Sequence, residues 1–170
     1  MPIPHPPPLQ LVDIVGPAAG AIVFVILMSL VKEPARRTFN AIFLGGAAGV
    51  YLSGGLGPWE LVAPLVFSII AYQGLRSHRW IGVGWLLHAS WDVVHHLYGN
   101  PIWPFMATSS FGCIVFDSLI AVWFLAGAPS VLSLRSRLTP GRAPAPGAGT
   151  LAGTPAGSSP PTGGSARAAR

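Results

Sequence analysis

Four ionisable side chains, His88, Asp92, His95 and His96, fall within one predominantly apolar stretch, WIGVGWLLHASWDVVHHLYG, residues 80–99. On a helix turning 100° per residue they share an arc of roughly 100°, while Leu86, Val93 and Leu97 face the other way. An aspartate near the middle of a bilayer costs about 2.5 to 3.5 kcal/mol on insertion scales, so such a residue faces the bundle interior and marks a site. Asp92 stands four residues after His88 and four before His96, so it can orient either imidazole or share a metal ion with it.

Metal ions sit about 2.0 to 2.2 Å from nitrogen and oxygen ligands, whereas the stretch from His88 to His96 rises by about 12 Å. One ion therefore cannot touch all four. The expected metal ligands are His88, Asp92, His95, His96 and, from the next apolar run, Asp117. A zinc or similar divalent ion would take Asp92 with His88, or Asp92 with His95 and His96, and Asp117 would complete the set. Cys113, one turn from Asp117, is a weaker candidate. An open coordination position would turn water into a nucleophile near neutral pH. His88, Asp92 and Ser110 are then the catalytic candidates, with Ser110 or a spare histidine stabilising developing charge.

Hydrolysis of a lipid or another amphiphile is the first chemistry this set suggests. Proton-coupled transport is the second, because histidine and carboxylate chains in membranes relay protons. A third reading needs no chemistry: interhelical hydrogen bonds hold a bundle together, alone or beside a partner membrane protein.

The elements that must position these groups follow from composition. The 170 residues are 51% hydrophobic and 9% charged, against about 25% charged in an ordinary soluble domain. Lipid is the solvent such a chain expects. The net charge of +5 does not describe a nucleic-acid surface, since five of the ten Lys and Arg lie beyond residue 130 and the others fill two short connections. A single cysteine excludes an intrachain disulfide.

Five apolar runs, at 11–31, 39–57, 61–75, 80–98 and 105–127, predict an all-α bundle of five transmembrane helices. A Pro-rich arm, 1–10, precedes it. The segment 129–170, basic and rich in Pro, Gly and Ala, has too little apolar surface to fold and is expected to be a disordered cytoplasmic tail. Small residues repeat every four positions on the first run (Gly16, Gly20) and the second (Ala41, Gly45, Gly49, Ser53), the pattern of close helix packing. Ser68, Tyr72 and Gln73 are expected to face inward from the third. Lys32, Arg36 and Arg37 follow the first run, Arg76 and Arg79 the third, and Arg135 and Arg137 the fifth, while the other gaps carry no Lys or Arg. This alternation predicts an outside N-terminus and a cytoplasmic C-terminus. It also sets Asp117 near the depth of His88 and Asp13 near that of His95 and His96, a polar seam reaching the outer surface.

The segment HASWDVVHHLYGNPIWPF, 88–105, together with FGCIVFDSLIAVWF, 111–124, resembles a family of small bacterial integral membrane proteins of unknown function. The likeness spans roughly residues 11–128, and W-D-x-x-H-H is its most specific string. It implies a multi-pass inner-membrane location and supplies no activity. The string is also similar to the His-box clusters of membrane desaturases and to the His/Asp/Ser sites of alkaline ceramidase-like hydrolases. A single His cluster and only five spans depart from both, so neither activity is carried over.

Overall fold

The computed structural model describes residues 6–131, without the side chains of 51–53. Half of the expected arm and nearly all of the expected tail lie outside these residues. Five α-helices follow one another: α1 Val12–Leu30, α2 Ala35–Ala47, α3 Trp59–Gly74, α4 His78–Tyr98 and α5 Ser109–Leu125. No strand occurs among the described residues.

The helix boundaries follow local chemistry. Asp13, in the first turn of α1, accepts from the Gln10 backbone N–H at 2.7 Å and from the Thr108 hydroxyl at 2.7 Å, which places a negative group at a helix N-terminus. Ser77 caps α4 by accepting from the Arg79 N–H at 3.3 Å. Four expectations are corrected here. The second run does not begin at residue 39: α2 starts just after Pro34, so Arg36 and Arg37 belong to its first turn. Nor is it one helix to 57, because past the weak helix formers Gly45 and Gly46 the chain tightens into a 3-10 segment, Ala48–Ser53. The third run begins earlier than residue 61, which puts Pro64 beyond the first turn and leaves the Glu60 carbonyl without its helical donor. Ser68 and Tyr72, expected inside, are exposed.

Successive helices run antiparallel, and contacts among their ends show it. At one end, His78 Nε2 lies 3.0 Å from Glu33 Oε1, Arg37 donates to the Leu75 carbonyl at 3.0 Å, and the Ser130 hydroxyl donates to the Ser29 carbonyl at 3.2 Å. At the other, Thr108 meets Asp13 and the Asn100 N–H donates to the Gly54 carbonyl at 2.7 Å. The basic connections thus gather at one end of the bundle.

The core is small-residue packing around a few large side chains. Leu44, Ile81, Trp85, Ile120 and Phe124 are fully buried among Ala41, Ala71 and Ala121. Gly82 sets the crossing of α4 and α5: a Cβ there would lie 2.9 Å from the Leu125 amide nitrogen and 3.0 Å from the Ala121 carbonyl oxygen. Of the expected small-residue flanks, a Cβ on Gly20 would meet Phe116 and one on Gly45 would meet Ala71, whereas on Gly16 and Gly49 it would meet nothing within 4 Å among the described residues.

Apolar side chains also cover the outside. Ile22, Val23 and Leu30 of α1, Leu61 and Leu65 of α3 and Val122 of α5 are among many that are more than half exposed. A water-soluble monomer rarely shows so much contiguous apolar surface. By length and composition together, α1 alone among the described helices is long and apolar enough to cross a membrane. Helices α3 and α5 are apolar but shorter, and the polar face of α4 lowers its hydropathy.

Candidate metal centre

Helix α4 presents His88 and Asp92 on one face, one turn apart, and α5 brings Asp117 against them. His88 Nδ1 donates to Asp117 Oδ2 at 2.8 Å, and Asp92 Oδ2 lies 3.6 Å from the same nitrogen. One donor atom from each of the three falls within 4.8 Å of the others. All three are buried, at 4%, 0% and 3% exposure for His88, Asp92 and Asp117. The ring of His88 is held between aromatic neighbours, Phe67 of α3 at 5.2 Å and Trp85 at 5.5 Å between centroids. The close approach at Gly82, one and a half turns before His88, lets α5 come near enough for Asp117 to reach across.

Acids outnumber bases in this cluster. Two carboxyls face one imidazole, no Lys or Arg joins them among the described residues, and the wholly buried Asp92 has the Asp117 carboxyl as its hydrogen-bonding neighbour. Two neighbouring buried carboxylates need a proton or a cation between them. Ligands of a tetrahedral ion with bonds of 2.0 to 2.2 Å stand about 3.4 Å apart, and the 2.8 and 3.6 Å separations at His88 Nδ1 straddle that spacing. Three protein donors leave a fourth position open, as in catalytic rather than structural zinc sites.

An apolar cavity of about 560 Å³ opens onto the cluster. Its walls come from α2, the 3-10 segment, α4, the α4–α5 connection and α5. His88 and Asp117 are the ionisable side chains lining it, apart from the half-buried thiol of Cys113.

The structure does not bring the other expected ligands to this point. His95 turns to α3, where its Nε2 lies 3.5 Å from Glu60 Oε2. His96 packs its ring against Phe111 at 5.6 Å. Both line a separate cavity of about 340 Å³ at the end of α4, together with Ser110. Ser110 precedes Asp117 by seven residues, two turns or about 10.5 Å of rise, too far for it to meet a group held at His88. Its hydroxyl is buried and finds no partner among the described residues. Asp13 stays at the start of α1 with Gln10 and Thr108.

Glu60 is the functional candidate that sequence reasoning missed. It is 5% exposed, accepts from the Leu56 N–H at 2.9 Å, and faces His95. Its signal was the one that identified Asp92, a scarce acid beside an apolar run, but the run was drawn from residue 61. Gly54 lies directly beneath the pair, with no room for a Cβ against the His95 ring.

Outside the expected spans, the connection ends show ordinary electrostatics. Burial raises the Glu33 carboxyl, but the Arg36 hydrogen bond at 2.7 Å and the charges of His78 and Arg36 outweigh it and hold the group below the usual range.

No curated protein and no solved structure matches the chain. The stretch that carries Trp91, Asp92, His95 and His96, along with all of α1 to α5, lies within residues 12–130, which match the model of a family of unknown function (DUF6010), and the chain belongs to that family.

Proposed function

We propose that the chain is a multi-pass membrane protein that binds a divalent metal ion at His88, Asp92 and Asp117 and uses it to hydrolyse an amphiphile. The observation that carries this is the convergence of three buried donors from two helices, two acids to one imidazole, with His88 and Asp117 lining an apolar cavity. A metal bound there would lower the pKa of its water to about 7. In the hydrolysis, the water oxygen bonds to the carbonyl carbon of an ester or amide and the bond to the leaving oxygen or nitrogen breaks. The proton released by water passes to that leaving atom.

The five helices span the bilayer in this reading. The basic end, with Arg36, Arg37, Arg76 and Arg79, faces the cytoplasm by the positive-inside rule. The exposed apolar residues of α1, α3 and α5 then face acyl chains.

The test is the metal content of the purified full-length protein. About one equivalent of zinc or another divalent metal is expected, and none in Asp117→Asn or His88→Ala. Wild-type protein holding no more metal than Asp117→Asn overturns the reading.

The Glu60–His95 pair favours a second reading, proton-coupled transport. It adds a second buried acid–imidazole contact on α4, beginning only three residues, about 4.5 Å of rise, beyond Asp92. That reading expects a pH-dependent flux in proteoliposomes that disappears with Asp92→Asn.

A further inference from the structure

The cavity that reaches His88 and Asp117 is walled on one side by α2 and on the other by α5, and its outer wall is exposed. Phe39 is 50% exposed and Ile42 66%, and both line it along with Val50 of the 3-10 segment. On the flank of α2 the cavity therefore opens sideways, toward whatever surrounds the bundle. Further in, the wall stays apolar with the half-buried Ala47 and Phe116, until it meets the two ionisable groups and Trp85. Trp85 is 2% exposed, and its indole N–H has no acceptor among the described residues. A buried donor left unmatched is unfavourable, so a ligand oxygen accepting from it would recover that loss.

We propose that this cavity is the binding site for a single apolar chain of an amphiphile that enters laterally from the bilayer between α2 and α5. Its head group stops at Trp85, His88 and Asp117. An occupant with one long apolar part and one polar end matches the wall and the floor together. A fully polar solute would leave its hydrogen-bonding groups unmatched against phenylalanine and alanine. A purely hydrocarbon occupant would leave the Trp85 N–H without a counterpart. The site rests on the membrane reading above and narrows its substrate to a lipid with a chain that fits one groove.

The connection between α4 and α5 closes one end. Ile102 and Trp103 line the cavity there, with Trp103 52% exposed. Gly46 leaves the mouth wide: a Cβ built on it meets nothing within 4 Å, although it belongs to the cavity wall. A large side chain at this position obstructs the groove without displacing core atoms, which makes Gly46→Phe the informative variant.

The probe is palmitic acid carrying a diazirine at its chain end, photolysed with the full-length protein in lipid nanodiscs, with adducts mapped by peptide mass spectrometry. Adducts are expected on Phe39, Phe43 and Phe116, and they should fall at least tenfold when unlabelled palmitic acid is added in excess. Adducts on the outward residues Ile22 and Val23 of α1 should not saturate in this way. Gly46→Phe should remove the saturable adducts and keep about one equivalent of metal. If cavity and α1 adducts respond alike to the competitor in wild-type protein, the site is overturned, whatever Gly46→Phe does. Failure of the metal reading shows separately, as wild-type protein without metal whose saturable adducts persist.

Discussion

Two of the acid–imidazole groupings on helix α4 are of opposite character, His78 with Glu33 at its first residue and His88 with Asp92 and Asp117 near its middle. At His78 the charges balance. Arg36 donates to Glu33 at 2.7 Å, and the Glu33 side chain is 38% exposed, so water and salt screen what remains. At His88 there is no arginine, two acids face one ring, and almost no surface is exposed. The difference separates a staple from a site. Residue types alone are similar, and what distinguishes the second is a second acid in place of an arginine, buried beside a cavity.

The sharpest way to break this comparison is to remove one acid from each grouping. Asp117→Ala strips the hydrogen bond from His88 and opens a buried gap, and breaking a buried charged network in this way costs about 3 to 5 kcal/mol. Unfolding in detergent measures the loss, which should be accompanied by loss of the bound metal. An effect of Asp117→Ala no larger than that of Glu33→Gln would mean that the two groupings do the same job.

A second break acts through packing. Gly82 lets α5 lie against α4, and a Cβ there would press on the Leu125 amide and the Ala121 carbonyl. Gly82→Val should cost about 1 to 3 kcal/mol, the usual penalty for overpacking. It should also lower metal occupancy although no ligand has changed, because Asp117 is pushed away from His88. Full occupancy in a destabilised Gly82→Val protein would show that the cluster does not depend on this crossing.

The helical content and the pairing of His88, Asp92 and Asp117 were legible in the sequence for a simple reason. Ionisable residues are so scarce in these apolar runs that each one stands out, and the i, i+4 spacing fixes a shared face. What the sequence left open was which way the neighbouring histidines turn. His95 and His96 are adjacent, so their side chains diverge by about 100° on a helix, and one meets Glu60 while the other meets Phe111. That choice is made by the loop around Gly54, whose backbone packs on His95, and no periodicity in α4 records it. The break in α2 was equally hidden, because a run of Gly and Ala reads as apolar whether it is helical or not.

A middle case is the Glu60–His95 pair, buried like the first grouping but with one acid to one ring. If charge imbalance is what recruits a metal, Glu60→Gln should leave metal occupancy intact. It should cost about 1 to 3 kcal/mol, the range for disturbing a buried polar contact. Loss of metal in Glu60→Gln would join the two clusters into one site and favour the transport reading.

The smallest effect belongs to the grouping at the basic end. Partly exposed ion pairs contribute up to about 1 kcal/mol, so Glu33→Gln should shift stability by no more than that at neutral pH. The sign with pH is fixed by the depressed carboxyl of Glu33. Its contribution is fully present above the unfolded-state pKa of about 4.3 and is lost as pH falls through the lower folded-state value. Wild-type and Glu33→Gln stability curves should therefore run parallel from pH 8 down to about pH 5 and converge only in acid. A gap that instead widens as pH falls through the histidine range would point to the imidazole of His78, whose protonated form Glu33 favours, as a second titrating partner, and would make this end of α4 more sensitive to protons than its balanced charges imply.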